Sequence, residues 1–399
     1  TYKYDANGRL IRTERPNGTI ETREYDKMGR LIRILDHCGD NEINRQEYSY
    51  DVAGNITAVK NLAEVDVTSV TDINMTYDKN NRLLTYNGEE VIYDKDGNMV
   101  YGPLQGKMTN FMYDCRNRLI GAGDNAYEYD AENNRIAVTT AGKRTESVIN
   151  TQPELSQVLQ SATTGKDTTY YFYGNGLTAQ DDGTDYLTYH FNNVGSTMAV
   201  TDDKGNKIAS YEYSPYGQII NRDQKEDGLT IPFLYNGQYG VTTDDSGLYY
   251  MRARYYNVDI RRFLNQDVLT GTLERISSLN RYAYVEGNPL RYLDPFGLER
   301  TYVSETNKQH NFISDMSYIL SCINITIPNP VTLVISITIG SYDIGLCIYD
   351  LSQYDPCSNE AIETWMNIGK DLAGLIPGGG DYITIALYLK EKYDEERNK

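Results

Sequence analysis

The chain is 399 residues long with a formal charge of −18, a length that usually holds more than one domain and a balance too acidic for the basic stripe that nucleic-acid binding requires. It has 37 tyrosines against 7 phenylalanines and 1 tryptophan, and 33 glycines against 11 prolines. Tyrosine at this density suits strands and glycine suits tight turns, so the chain reads as mainly β.

The first residues, TYKYDANG, begin inside a pattern, as the C-terminal piece of a longer protein would, with no initiator methionine or signal peptide. Cys38, Cys115, Cys322, Cys347 and Cys357 match neither zinc-ligand spacing nor a disulfide framework. Buried free thiols are expected, with one bridge among the last three as the alternative.

In chain order, Tyr-Asp phrases then recur: YDANGRLIR from Tyr4, YDKMGRLIR from Tyr25, YDVAGNITAV from Tyr50, YDKNNRLLTY from Tyr77, YDKDGNMV from Tyr93, YDCRNRLIGA from Tyr113 and YDAENNRIAV from Tyr129. Their spacing, about 16 to 27 residues, suits hairpins with loops of differing length rather than rigid helical repeats. In each, strand-like alternation leads to the Tyr. The Asp accepts backbone N–H groups, a Gly or Asn takes the left-handed position, and alternation resumes in the return strand. Taken alone, every Tyr-Asp pair is a sheet-packing residue followed by a turn residue, with no chemistry of its own.

These phrases resemble the YD repeats of the Rhs family, relatives of insecticidal toxin-complex C components and teneurins. The resemblance extends through YHFNNVGSTMAVTDDKGN (from Tyr189), YEYSPYGQ (from Tyr211), FLYNGQYGVTTDDSGLYYMRARYYN (from Phe233), RRFLNQD (from Arg261) and NRYAYVEGNPLRYLDPFGL, which ends at Leu298. It implies a β-hairpin ribbon spiralled into a hollow shell over residues 1–185, a repeat-associated core module that plugs it over 186–298, and a variable region, 299–399, held inside as cargo.

The same resemblance implies self-cleavage of the Leu298–Glu299 bond by an aspartyl-protease-like pair, Asp267 in RRFLNQD and Asp294 in LDPFGL, with Arg262 supporting charge nearby. Two close carboxylates cannot both ionise easily, so one serves as acid and the other as base. This sequence departs from the family where Asp267 is followed by Val268 rather than Pro. The stretch between the two Asp residues is a few residues longer, and the turn before Arg262 lacks the usual Gly. Without cleavage, DPFGL is a turn that closes the plug.

Beyond Glu299 the chain has about twice as many acids as bases, and His310 is a lone histidine that reads as a surface residue. Ile362, Trp365, Met366, Ile368, Gly369 and Leu372 recur at helical spacing behind a cap at Ser358 or Asn359, and YITIALYLKEKYDEERNK reads as a closing helix, so this region is expected to be small and mostly α or α+β. The triplet Gly378-Gly379-Gly380 lacks the Lys and Ser/Thr of a phosphate loop and faintly resembles Rhs linker segments. Met316 to Tyr342 carries no charged side chain and is long enough to cross a bilayer, yet Pro328 and Pro330 break a helix there and VTLVISITIG reads equally as a buried strand.

Function follows from the resemblance: a shell of a polymorphic toxin used in bacterial competition, secreted or at the cell surface. Its partners would be its own C-terminal segment, a secretion-system component, an immunity protein, surface glycans or a target membrane. The only enzymatic step would be one turnover of self-cleavage, and no cofactor or metal is implied. The alternative is a surface or wall-associated adhesion scaffold with an uncleaved, membrane-associating tail.

Overall fold

The structure, a computed structural model, describes residues 1–62, 72–225, 229–273 and 275–302, and the backbone of the strands Ile323–Asn329, Thr332–Ile339 and Tyr342–Asp350. Two units separate: Thr1–Thr151 with Leu155–Lys308, and Gln152–Glu154 with Gln309–Lys399.

The first unit is built from antiparallel strands, each hydrogen-bonded to its neighbours in sequence. Six strands from Tyr2–Tyr4 to Ile56–Asn61 form one sheet, Met75–Tyr77 to Glu89–Glu90 a three-stranded one, and fourteen strands from Ile92–Tyr93 to Ile219–Gln224 a third. That last sheet runs through residue 185 without a break, because Gly176–Asp181 pairs with Tyr186–Phe191. Four short strands, Thr242–Thr243, Leu248–Met251, Arg254–Asn257 and Arg262–Phe263, form a separate sheet, and Tyr292–Leu293 pairs with Thr301–Tyr302.

One turn explains the repeat. At Asp26, Oδ1 accepts the N–H groups of Met28 and Arg30, both at 2.9 Å, while Arg30 Nε donates to Oδ2 at 2.7 Å. Gly29 sits at φ 82°, the left-handed conformation the reversal needs. Where the phrase carries Asn instead, at Asn81, Asn117 and Asn133, φ is 61°, 59° and 68°, as expected of the residue type that best tolerates that region after glycine. The Tyr before each Asp marks a register shift in the ladder, so every repeat bends at the same place.

The arginine of GRL does more than close its own turn. Arg9 lies 4.6 Å from the ring centroid of Tyr25, Arg30 4.7 Å from Tyr50 and Arg118 4.9 Å from Tyr129, each the tyrosine of the next repeat. The hydroxyls of Tyr25, Tyr50 and Tyr129 donate back to the carbonyls of Leu10, Leu31 and Leu119, at 2.9, 2.6 and 2.7 Å. At these three junctions the hairpin is thus clipped to its successor by a cation on a ring and a hydroxyl on a backbone oxygen. Past the seven Tyr-Asp phrases the turn persists with other first residues: Asn192 and Asp202 accept backbone N–H groups two and four residues on, and Ser214 accepts one four residues on.

Tyrosine also fills the core. Tyr235, Tyr249, Tyr256 and Tyr284 are buried around Phe263, with the Tyr256 and Tyr284 centroids 4.6 Å apart. Their hydroxyls are satisfied at the rim: Tyr249 donates to Gly217 O at 2.6 Å, Tyr256 to Tyr216 O at 2.8 Å and Tyr284 to Asn236 Oδ1 at 2.7 Å. Phenylalanine would fill the same volume but leave those oxygens without donors. A buried ionic cluster ties the six-stranded sheet to the fourteen-stranded one. Asp36 takes Arg15 at 3.1 Å and the Nδ1 of His190 at 2.8 Å, and Arg15 also reaches Glu21 at 2.6 Å.

The cysteine expectation needs one correction. Cys38 and Cys115 are free, but Cys38 is half-buried and Cys115 exposed, because Cys115 occupies the outward position of a hairpin turn. In the second unit the three described strands form one antiparallel sheet, and the VTLVISITIG stretch is a strand, Thr332–Ile339, paired on both sides. Pro328 falls in a register shift, where a residue without an N–H is tolerated. No helix among the described residues is long and apolar enough to cross a membrane. His310, the helical pattern around Trp365, the Gly378–Gly380 triplet, the closing helix, Cys322 and Cys357 lie outside the described residues, as does the side chain of Cys347.

Candidate functional site

The hairpin of Leu248–Met251 and Arg254–Asn257 turns through Arg252, whose φ of 55° is left-handed, and the DPFGL phrase lies against that turn. Ala253 N–H donates to Phe296 O at 3.1 Å. Gly297, at φ 69°, comes so close to Met251 O that a Cβ would collide with it, so this position requires glycine.

Arg254 is the centre of the site. One of its nitrogens, Nη2, lies 2.7 Å from Asp267 Oδ2 and 3.5 Å from Asp294 Oδ2. Nη1 donates to Arg281 O at 3.1 Å, Nε donates to Gly297 O, and the guanidinium carbon stands 3.7 Å from the Phe263 ring centroid. Arg254, Asp267 and Asp294 are buried, with 4%, 9% and 2% of their surfaces exposed. The structure brings the two acids paired in the sequence together around one shared cation.

Their environments differ. Burial pushes the Asp294 carboxyl up to about 7, and the nearby Asp267 adds to this, while Arg254 and the N–H of Leu298, at 3.0 Å from Oδ1, pull the other way. Burial also raises Asp267, but its Oδ2 has the closer contact with Arg254 and its Oδ1 accepts the N–H of Leu269 at 2.8 Å. Both carboxyls are thus raised, and the closer cation and the Leu269 N–H favour the charged form at Asp267 more than at Asp294, an asymmetry suited to acid–base work.

The Leu298–Glu299 bond is held on both sides. Asp294 grips Leu298 through its N–H, and Arg275 reaches Glu299 at 3.2 Å. Beyond it, Thr301–Tyr302 pairs with Tyr292–Leu293, so the chain doubles back beside the strand that leads into Asp294. A second buried arginine fixes the turn: Arg252 donates to Pro295 O at 2.6 Å, to Ser156 O at 2.7 Å, to Tyr239 O at 2.9 Å and to Ser156 Oγ at 3.1 Å. Burial lowers its pKa to about 10.

Arg262 is not in the site. It adjoins Phe263 in one short strand, where successive side chains point to opposite faces. Phe263 faces Arg254, whereas Arg262 stacks on Tyr77 at 4.3 Å and donates to Asn81 O at 2.9 Å. The repeat before Tyr77 carries Asn55 where four of the seven phrases carry arginine, and Arg262 covers that ring. The supporting cation is instead Arg254, which sequence analysis missed. Its signal was an arginine inside the aromatic strand RYYN, a charge that can be buried only beside acids.

A family profile described as teneurin YD-shell matches residues 1–290. The chain is 30% identical over 285 residues to the tRNA3(Ser)-specific nuclease WapA of Bacillus spizizenii, and 30% identical over 298 residues to the tRNA nuclease WapA of Bacillus subtilis. Each match covers 68% of this chain but 12% of the relative, so the chain spans a small part of their length. Among solved structures, the TcdB2–TccC3 complex matches with a TM-score of 0.53 and 20% identity, over 75% of this chain and 20% of that one. At that identity the likeness is one of fold.

Proposed function

The chain belongs to the teneurin YD-shell family, and from that premise we propose that it is the closing part of a toxin-delivery shell that severs its own C-terminal region once. Residues 1–185 would supply ribbon, 186–298 the plug, and 299–399 the cargo, acting outside the producing cell. The observation that carries the reading is the arrangement of Asp267 and Asp294 on one nitrogen of Arg254, with Asp294 bonded to the residue before the scissile bond. Asp267 takes a proton from a water, and the resulting hydroxide attacks the Leu298 carbonyl carbon. Asp294 gives its proton to the Glu299 nitrogen as the C–N bond breaks, leaving a carboxylic acid at Leu298, which then loses its proton to solvent, and an amine at Glu299. Arg254 holds both acids in place, and because the bond belongs to the same chain, positioning supplies much of the rate.

The test is the mass of the purified products. The parent is expected to yield two pieces divided after Leu298, and Asp267→Asn and Asp294→Asn one intact chain each. A parent that stays whole refutes self-cleavage and favours a surface scaffold with a covalent tail.

A further inference from the structure

Away from the carboxylate pair, a cleft of about 960 Å3 opens between the strand Met75–Tyr77, the turns that follow Asp78 and Asp94, and the stretch from Ile260 to Gly287. Its lining carries Lys79, Arg82, Lys95, Arg261, Arg262 and Arg281, against a single carboxylate, Glu286. Glu286 is already engaged, by Arg275 at 2.8 Å and Arg300 at 3.1 Å. Arg82 is paired with Asp78 at 2.7 Å, but the other five cations have no ion-pair partner among the described residues. A chain with 56 acids and 38 bases has gathered unpaired positive charge in one concave place. Such a surface attracts an anion and orders its approach.

The shape narrows the choice of anion. The volume lies at the upper end of the roughly 300–1,000 Å3 usual for ligand clefts, so one phosphate or sulfate would leave most of it empty. A single strand of nucleic acid would need open ring faces for its bases. The rings here are taken: Tyr77 lies under Arg262 at 4.3 Å, Tyr216 is approached by Arg261 at 5.7 Å, and Tyr282 and Tyr284 are buried at 3% and 1% exposure. What remains is charge on separate stems, with exposed Lys79, Lys95 and Arg261 at one level and the half-buried guanidinium groups of Arg262 and Arg281 below. Anions repeated along a flexible chain satisfy such an arrangement. Arg281 donates Nε and Nη2 to Asp267 O and Arg262 donates Nη1 to Asn81 O, so these two add fixed positive charge beneath the exposed Lys79, Lys95 and Arg261.

We propose that this cleft binds an acidic, carboxylate-rich polypeptide segment. The inference does not depend on self-cleavage, since Lys79, Lys95, Arg261 and Arg262 have no part in that chemistry and only Arg281 also touches the acid site.

The experiment is fluorescence anisotropy of a short fluorescein-labelled oligoglutamate titrated with the full chain at low ionic strength. An oligothymidylate of equal charge and free tripolyphosphate serve as the other arms. Saturable binding of the oligoglutamate is expected, falling about tenfold in Lys79→Glu/Lys95→Glu and about tenfold in Arg262→Gln, and unchanged in Lys27→Glu, an exposed charge elsewhere. Unchanged thermal midpoints would show that the variants remain folded. The proposal is overturned if the oligoglutamate does not saturate, if Lys27→Glu weakens it as much as the cleft variants, or if oligothymidylate or tripolyphosphate binds more tightly than the oligoglutamate.

Discussion

Replacing Asp294 with asparagine should change how stability responds to pH, in one direction only. In the folded chain this carboxyl is raised from 3.8 to about 7, because it is almost wholly buried and its one cation is shared with Asp267. With the folded value above the unfolded one, the folded chain keeps a proton that the unfolded chain releases. The contribution is therefore fully present below about pH 4, is lost as pH rises towards about 7, and is flat above that. A rise of that size corresponds to about 4 kcal/mol, or roughly 8 °C in the midpoint of a domain this large. Asp294→Asn cannot ionise, and it also relieves Asp267 of a neighbouring charge. Its midpoint relative to the parent should accordingly climb by several degrees between about pH 4 and about pH 7 and then level off. Scanning calorimetry of both proteins across that range measures the difference. A difference independent of pH would show that Asp294 is ionised like an exposed acid, and would remove the proposed proton donor.

Arg254→Met leaves two buried carboxyls without their cation, so it should abolish division after Leu298 and destabilise the first unit by about 3–5 kcal/mol, read by mass spectrometry and calorimetry. Arg262→Ala should leave the product masses unchanged, because its guanidinium lies on Tyr77 and not beside the acids; an intact chain there would restore the role the sequence suggested. Arg252→Ala removes four hydrogen bonds around the DPFGL turn and should slow division by on the order of a hundredfold through misplacement, followed by quantifying intact chain during refolding. Asp114→Ala should speed amide exchange at Arg116 and Arg118 about tenfold, since their N–H groups donate to its Oδ1, and hydrogen-exchange mass spectrometry reads this directly.

The hairpins were legible because their information is local. Asp, two residues and then Gly or Asn determine a turn within five positions, and every turn lies where the phrases put it. The Arg–Tyr clip was not read, although both residues stood in the quoted phrases, because it joins residues about 11 to 20 apart through an uncounted interval. The acids of the site came from resemblance to a family phrase, whereas their cation had to be found in space. Arg254 and Arg262 are equally plausible in the sequence, and only the alternation of one two-residue strand separates them. Buried charge of this kind, like the link between Asp36 and His190 across 154 positions, is decided by packing between distant segments.

The clip has a consequence for how such chains can vary. At three junctions a repeat recognises its successor through one guanidinium and one ring at the turn. Hairpins can therefore be copied, dropped or lengthened without rewriting the rest, as words can be added to a sentence whose grammar operates only between neighbours. The Arg at a junction can be replaced from elsewhere, as Arg262 does in reaching Tyr77 from far along the chain.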